Sequence, residues 1–124
     1  MMQAMALKAF GGADNLRWSE WPLPEPKAGE VRIRVHAISV NPVDVKMRLG
    51  RIPVELPVVL GRDWEVYQET MADLTTLIST RRIPPPSVTE LGELSERTIQ
   101  EAHRMLEAGH VTGKLVLTVA GQRR

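Results

Sequence analysis

The chain has 124 residues, a formal net charge of +1, 43% hydrophobic residues and 25% charged residues. That is one domain's worth of ordinary globular sequence, and a charge so near neutrality gives no electrostatic basis for nucleic acid or an anionic membrane as partner. Cysteine is absent, which excludes disulfides, thiolate nucleophiles and cysteine-ligated metals, and fits a reducing compartment, so cytoplasmic residence is expected.

From the N-terminus, Ala4 to Phe10 is a short apolar-rich run closed by the turn signal Gly11-Gly12 and is predicted to be a strand. The start has no basic segment followed by a long apolar one, and no apolar run reaches the length that spans a bilayer. Leu16 to Trp21 is a second strand, stopped by Pro22, Pro24 and Pro26. Val31 to Ala37 carries the clearest alternation in the chain: Val31, Ile33 and Val35 on one side, Arg32, Arg34 and His36 on the other. It predicts a third strand whose charged face meets solvent. Pro42 to Leu49 reads as a short helix, since proline suits the first helical turn and Gly50 supplies a stop. Pro53 and Pro57 then hold the chain extended before a brief strand from Val58 to Leu60.

The period changes in the second half. Tyr67, Met71, Leu74 and Ile78 share one helical face, and Arg81-Arg82 suit the end of that helix. Pro84-Pro85-Pro86 forbids helix and reads as a rigid spacer. A strand is expected over Ser87 to Leu91. A helix follows from Glu96 to Ala108, with Ser95 as N-cap, an apolar stripe of Ile99, Ala102, Met105 and Leu106, and Gly109 as the left-handed stop. Lys114 to Val119 is a last strand, and Ala120 to Arg124 a frayed tail.

Dinucleotide binding needs a glycine-rich turn between a strand and a helix, so that backbone N–H groups approach the pyrophosphate. The G-x-G-x-x-G spacing is absent, Gly11-Gly12 is followed by no helical pattern, and no phosphate-cradling loop occurs. No cofactor-binding residues are therefore assigned. His36, His103 and His110 have no ligand spacing, so no metal site is expected either, and His103 reads as a helix-flank residue.

Two stretches carry a family likeness. His36-Ala37-Ile38-Ser39-Val40-Asn41-Pro42-Val43-Asp44 with Pro57-Val58-Val59-Leu60-Gly61-Arg62-Asp63, and Glu101 to His110 with Gly113 to Val119, resemble opposite ends of the zinc-independent quinone-oxidoreductase branch of the medium-chain dehydrogenase/reductase family. In that family a whole nucleotide-binding domain separates them; here the gap is a few residues around Trp64 to Thr70. The resemblance implies an α+β fold: an incomplete GroES-like β-barrel with a short helix after strand 3 and two C-terminal helices followed by a final strand. It implies a single truncated domain over 1–124, with an N-terminal barrel part at 1–63, a junction at 64–72 and C-terminal helices and strand at 73–120. Further barrel strands normally follow Asp63, so an open sheet edge is expected, covered in part by Trp64 or by the helix near Thr70 to Thr80.

Members of the family transfer hydride from NADPH to a quinone or an activated C=C bond. By that likeness Asn41 falls where a zinc-binding relative commonly has a cysteine ligand. Asn41 and Asp44 are the catalytic candidates: the Asn41 amide could donate to an oxyanion and Asp44 could orient its neighbours. Asn41 and Lys46 are the candidates for substrate binding. Read without the likeness, Asn41-Pro42 is a loop-to-helix connection in which Asn41 simply caps the helix. The reading reached is a quinone-oxidoreductase-like protein without its own NADPH-binding domain, a non-catalytic substrate-domain remnant or binding module. The alternative is an NADPH-dependent quinone or enone oxidoreductase active only with a partner that supplies the cofactor site. The expected partners are a small carbonyl or quinone ligand and a second copy meeting through the open sheet edge.

Overall fold

In the computed structural model the described residues are 1–61, 79–82, 84 and 87–120. Their first strand, β1 (Met2–Leu7), is buried over its last four residues without alternation, as a strand covered on both faces must be. It is the middle strand of a three-stranded sheet. β2 (Leu16–Trp21) runs antiparallel to it, with Leu7 opposite Leu16 and Met2 opposite Trp21. β4 (Val58–Val59) pairs on the other side, Val58 opposite Leu7. The first strand stops short of the Phe10 expected from sequence. Past Leu7 the chain turns away, the Asn15 side-chain amide donates to the carbonyls of Ala9 and Phe10 at 3.1 and 3.0 Å, and a 3-10 turn over Ala13–Asn15 leads into β2.

The second sheet has β6 (Lys114–Thr118) at its centre. β3 (Ala37–Val40) lies antiparallel to β6, with Val40 opposite Leu115 and Ala37 opposite Thr118. β5 (Val88–Glu93) lies parallel to β6, with an irregularity between Glu90 and Glu93. Leu115 and Leu117 face inward and are fully buried. With Val40 they join Met5, Leu7 and Leu16 of the first sheet in one core. Each fully buried leucine of this set contributes roughly 1.5–3 kcal/mol. The architecture is α+β: two sheets and two helices, with no closed barrel among the described residues.

The helix α1 (Pro42–Arg48) follows β3, as the Pro42 and Gly50 signals predict. The helix α2 (Glu96–Ala108) has the predicted cap: the Thr98 N–H donates to Ser95 Oγ at 3.2 Å, the Ser95 N–H donates to Thr98 Oγ1 at 2.9 Å, and Gly109 ends the helix at φ 75°. Ile99 and Ala102 bring α2 into the core. Polar contacts then fix it to the first sheet. Gln100 Nε2 donates to the Leu16 carbonyl at 3.1 Å. The Glu96 carboxylate accepts from the Trp18 N–H at 2.9 Å and from Arg17 Nη1 at 3.0 Å. These two bonds, the Trp18 amide foremost, hold the Glu96 carboxyl below its ordinary range.

One prediction fails outright. Val31 to Val35 is not a strand, and Val31, Ile33 and Val35 are 81%, 68% and 47% exposed. Strand pairing begins only at His36, whose carbonyl accepts from the Val119 N–H at 2.9 Å. Alternation creates a face that suits a sheet, but a strand needs a neighbour to satisfy its backbone. Among the described residues no strand pairs with Val31 to Val35. The predicted helix from Tyr67 to Ile78, the junction at 64–72 and most of the proline spacer lie outside the described residues.

Candidate functional site

The residues singled out from sequence converge on the start of α1. Asn41 is its N-cap and is buried, and the Asp44 side chain is buried one turn in. Asp44 Oδ2 accepts from the Asn41 N–H at 2.8 Å, the acidic half of a capping box. The Asn41 side-chain oxygen accepts from Lys114 Nζ, at the start of β6, at 2.5 Å. Asn41 and Asp44 thus meet at the cap, with Lys114 as a third member that the sequence did not single out. Lys114 lies 73 positions away, and only the pairing of β3 with β6 brings it to Asn41.

Lys46 stands apart. It is exposed and lines a shallow cleft of about 260 Å³ between α1 and α2 with Pro42, Val45, Leu49, Arg51, Leu106 and Glu107. A larger cleft of about 380 Å³ lies beside β4, lined by Met47, Pro53, Val54, Glu55, Val58, Val59, Leu60 and Gly61. Its volume falls within the range of small-molecule sites. Its described walls are mostly apolar and include none of Asn41, Asp44 and Lys46.

A polar cluster sits between the two helices. Arg48, the last residue of α1, is completely buried. Its Nε donates to His103 Nδ1 at 3.2 Å, its Nη2 lies 2.6 Å from Glu107 Oε2, and its Nη1 donates to the Gly11 carbonyl. The Gly11 N–H returns a bond to the Arg48 carbonyl at 3.0 Å. One guanidinium therefore ties α1, α2 and the loop after β1 together. His103 is buried rather than on the helix flank expected from sequence. Because Nδ1 accepts from Arg48, the imidazole must be neutral with its proton on Nε2. Burial first, and the Arg48 charge second, lower the His103 pKa to about 4. The four-residue spacing of His103 and Glu107 places both on one face of α2, a signal legible in the sequence. That Arg48 would meet them was not, because the contact spans 55 positions.

Among the described residues neither family group finds a fit. Among the described residues no three His, Asp or Glu side chains are gathered to hold a metal ion, and the chain has no cysteine. Among the described residues no turn combines a strand, close-set glycines and a helix in the manner of a dinucleotide site. Among the described residues no helix is long and apolar enough to cross a membrane.

The Asn41-Pro42-Val43-Asp44 cap and the terminal helix-strand pair lie in the sequence stretches that carry the likeness to medium-chain dehydrogenases. The chain belongs to the zinc-binding dehydrogenase family, whose model matches residues 8–117. Over 74 residues it is 39% identical to the synaptic vesicle membrane protein VAT-1 homolog-like of Mus musculus, covering 58% of this chain and 18% of the mouse protein. Over 58 residues it is 40% identical to the chloroplast envelope quinone oxidoreductase homolog of Arabidopsis thaliana, covering 46% of this chain and 18% of that protein. A longer match, 29% identical over 112 residues, is to the 2-haloacrylate reductase of Burkholderia sp, with 86% of this chain and 33% of the reductase covered. The chain therefore spans a third or less of these relatives. No solved structure matches it significantly.

Proposed function

We propose that this chain is a substrate-domain scaffold of the quinone-oxidoreductase kind that acts as a binding module and not as a catalyst. The observation that carries this reading is the commitment of its two catalytic candidates. Asp44 caps the Asn41 N–H, Asn41 takes the Lys114 ammonium, and both side chains are buried away from the apolar cleft beside β4. An amide that is to stabilise an oxyanion must point at the place where the charge develops. Here the Asn41 side chain is buried, its oxygen takes the Lys114 ammonium, and neither of the two clefts is lined by Asn41. The two sheets support descent from a GroES-like barrel left incomplete. Asn41 in place of a cysteine ligand supports zinc independence, and the lack of cysteine supports a reducing compartment such as the cytoplasm. The ligand that suits the Met47–Val58 cleft is a small apolar carbonyl compound or quinone.

NADPH is the reductant of the family this chain resembles; the sequence has no G-x-G-x-x-G spacing, and no described turn is built to receive it. Titration of the purified chain with NADPH, followed by quinone-dependent NADPH oxidation with wild type and Asn41→Ala, tests the proposal. No saturable binding and equal background rates are expected. Tight NADPH binding, or turnover that Asn41→Ala abolishes, would overturn it.

A second reading has one observation in its favour: the exposed Lys114 ammonium stands against the Asn41 amide, a charge that a partner's cofactor site could use. It requires NADPH oxidation to appear when a full-length relative is added, and to disappear with Asn41→Ala.

A further inference from the structure

We propose that two copies of this chain associate by exchanging the Val31–Val35 segment, each copy laying it along the outer edge of the other's β5. The inference starts from two surfaces that have no strand partner among the described residues. The segment has the apolar-cationic alternation of a strand, is exposed throughout and pairs with nothing beyond His36. Among the described residues β5 is the outermost strand of its sheet. An uncovered strand edge presents a row of backbone donors and acceptors to any extended chain that fits.

Charge selects the occupant. If the segment paired with its own copy in another molecule, antiparallel and centred on Ile33, Arg32 would face Arg34, a like-charge pair that opposes association. β5 offers the opposite sign through Glu90 and Glu93, and both are exposed. Their spacing of three would ordinarily send them to opposite faces. The irregularity in β5 corrects this: Glu90 lies opposite Val116 and Glu93 opposite Thr118, so three steps on β5 match two on β6. Gly92, at φ 94°, absorbs the extra residue. Leu117 between these positions and Leu115 before them point inward, so both glutamates sit on the face away from the core. They have the two-residue repeat of Arg32 and Arg34. None of these four charged residues has an ion-pair partner among the described residues. Arg32 makes a single long bond to the Pro24 carbonyl, at 3.4 Å.

Topology makes the exchange mutual and intermolecular. Ala37 and Glu93 both pair with Thr118, so the segment leaves the sheet at the same end as Glu93. β6 and β5 itself stand between β3 and that outer edge, about 14 Å across three strand spacings, so the segment cannot reach the outer edge of its own β5 within the sheet. A second copy related by a two-fold axis near that end can receive one segment and donate its own, and the assembly closes as a dimer.

Sedimentation of the full chain, from micromolar to near-millimolar concentration, with two charge-reversed double variants provides the test. Arg32→Glu with Arg34→Glu, and Glu90→Arg with Glu93→Arg, change only exposed side chains, and circular dichroism confirms that each is folded. Wild type is expected to sediment as a dimer, each variant alone as a monomer, and their equimolar mixture again as a dimer, because every segment then meets an edge of opposite charge. A monomeric wild type, a dimer that persists in either variant, or a mixture that stays monomeric would overturn the proposal.

Discussion

Acid should unfold this protein through His103 before its surface carboxylates are titrated. The imidazole is buried, is forced neutral by the Arg48 Nε–H that it accepts, and has its pKa lowered from 6.5 to about 4. In the unfolded chain it titrates near its ordinary value. A group whose pKa is depressed in the fold stabilises the fold where it is deprotonated in both states. Here that contribution is complete above about pH 6.5 and is withdrawn as pH falls toward 4, because protons bind the unfolded chain first. At about 1.36 kcal/mol for each tenfold ratio, the loss between pH 7 and pH 4 comes to about 3 kcal/mol. That is a large share of the 5–15 kcal/mol that is typical of a domain. Urea unfolding at several pH values, for wild type and His103→Gln, measures it. Glutamine keeps an acceptor for Arg48 and cannot be protonated, so its stability at pH 7 falls modestly and its acid slope lacks the histidine proton. Carboxylates contribute equally to both proteins, and the difference isolates His103. Parallel pH profiles in the two proteins would refute the reasoning.

Other perturbations follow from the same contacts. Arg48→Met removes the bonds to His103, Glu107 and the Gly11 carbonyl and should cost about 3–5 kcal/mol in denaturant unfolding, with stability near wild type as the contrary result. Gly113 sits at φ 84°, and a Cβ there would overlap the Ser87 backbone, which receives the Lys114 N–H at 2.9 Å. Gly113→Ala should therefore cost at least about 2 kcal/mol and speed hydrogen exchange across β5; unchanged exchange would count against the β5–β6 pairing. Ser95→Ala removes the cap of α2 and should lower stability by about 1 kcal/mol in thermal unfolding.

Local signals in this sequence match the structure where local physics decides. The Ser95 cap, the Ile99–Ala102 stripe and Gly109 define α2 because helix ends and amphipathic faces are set within a few residues. Pro42 and Gly50 bracket α1 for the same reason. Val31 to Val35 misled because alternation describes a side-chain pattern, whereas a strand exists only beside another backbone. The site divides likewise. Asn41 and Asp44, three positions apart, were legible as a pair. Lys114 and the Arg48–His103–Glu107 cluster were not, since sheet pairing and helix packing bring them together across the chain. Nothing in the sequence singles out Arg48, and only its burial and contacts show that it ties three elements together.

The most direct test of whether this scaffold works without a nucleotide is calorimetric titration of the whole chain with NADPH, beside the same titration of Asn41→Ala. No heat of binding is expected from either protein, with Asn41→Ala merely less stable because Lys114 has lost its acceptor. Saturable, tight binding by the wild type that the substitution removes would show that the Asn41 amide faces a cofactor and would contradict the account.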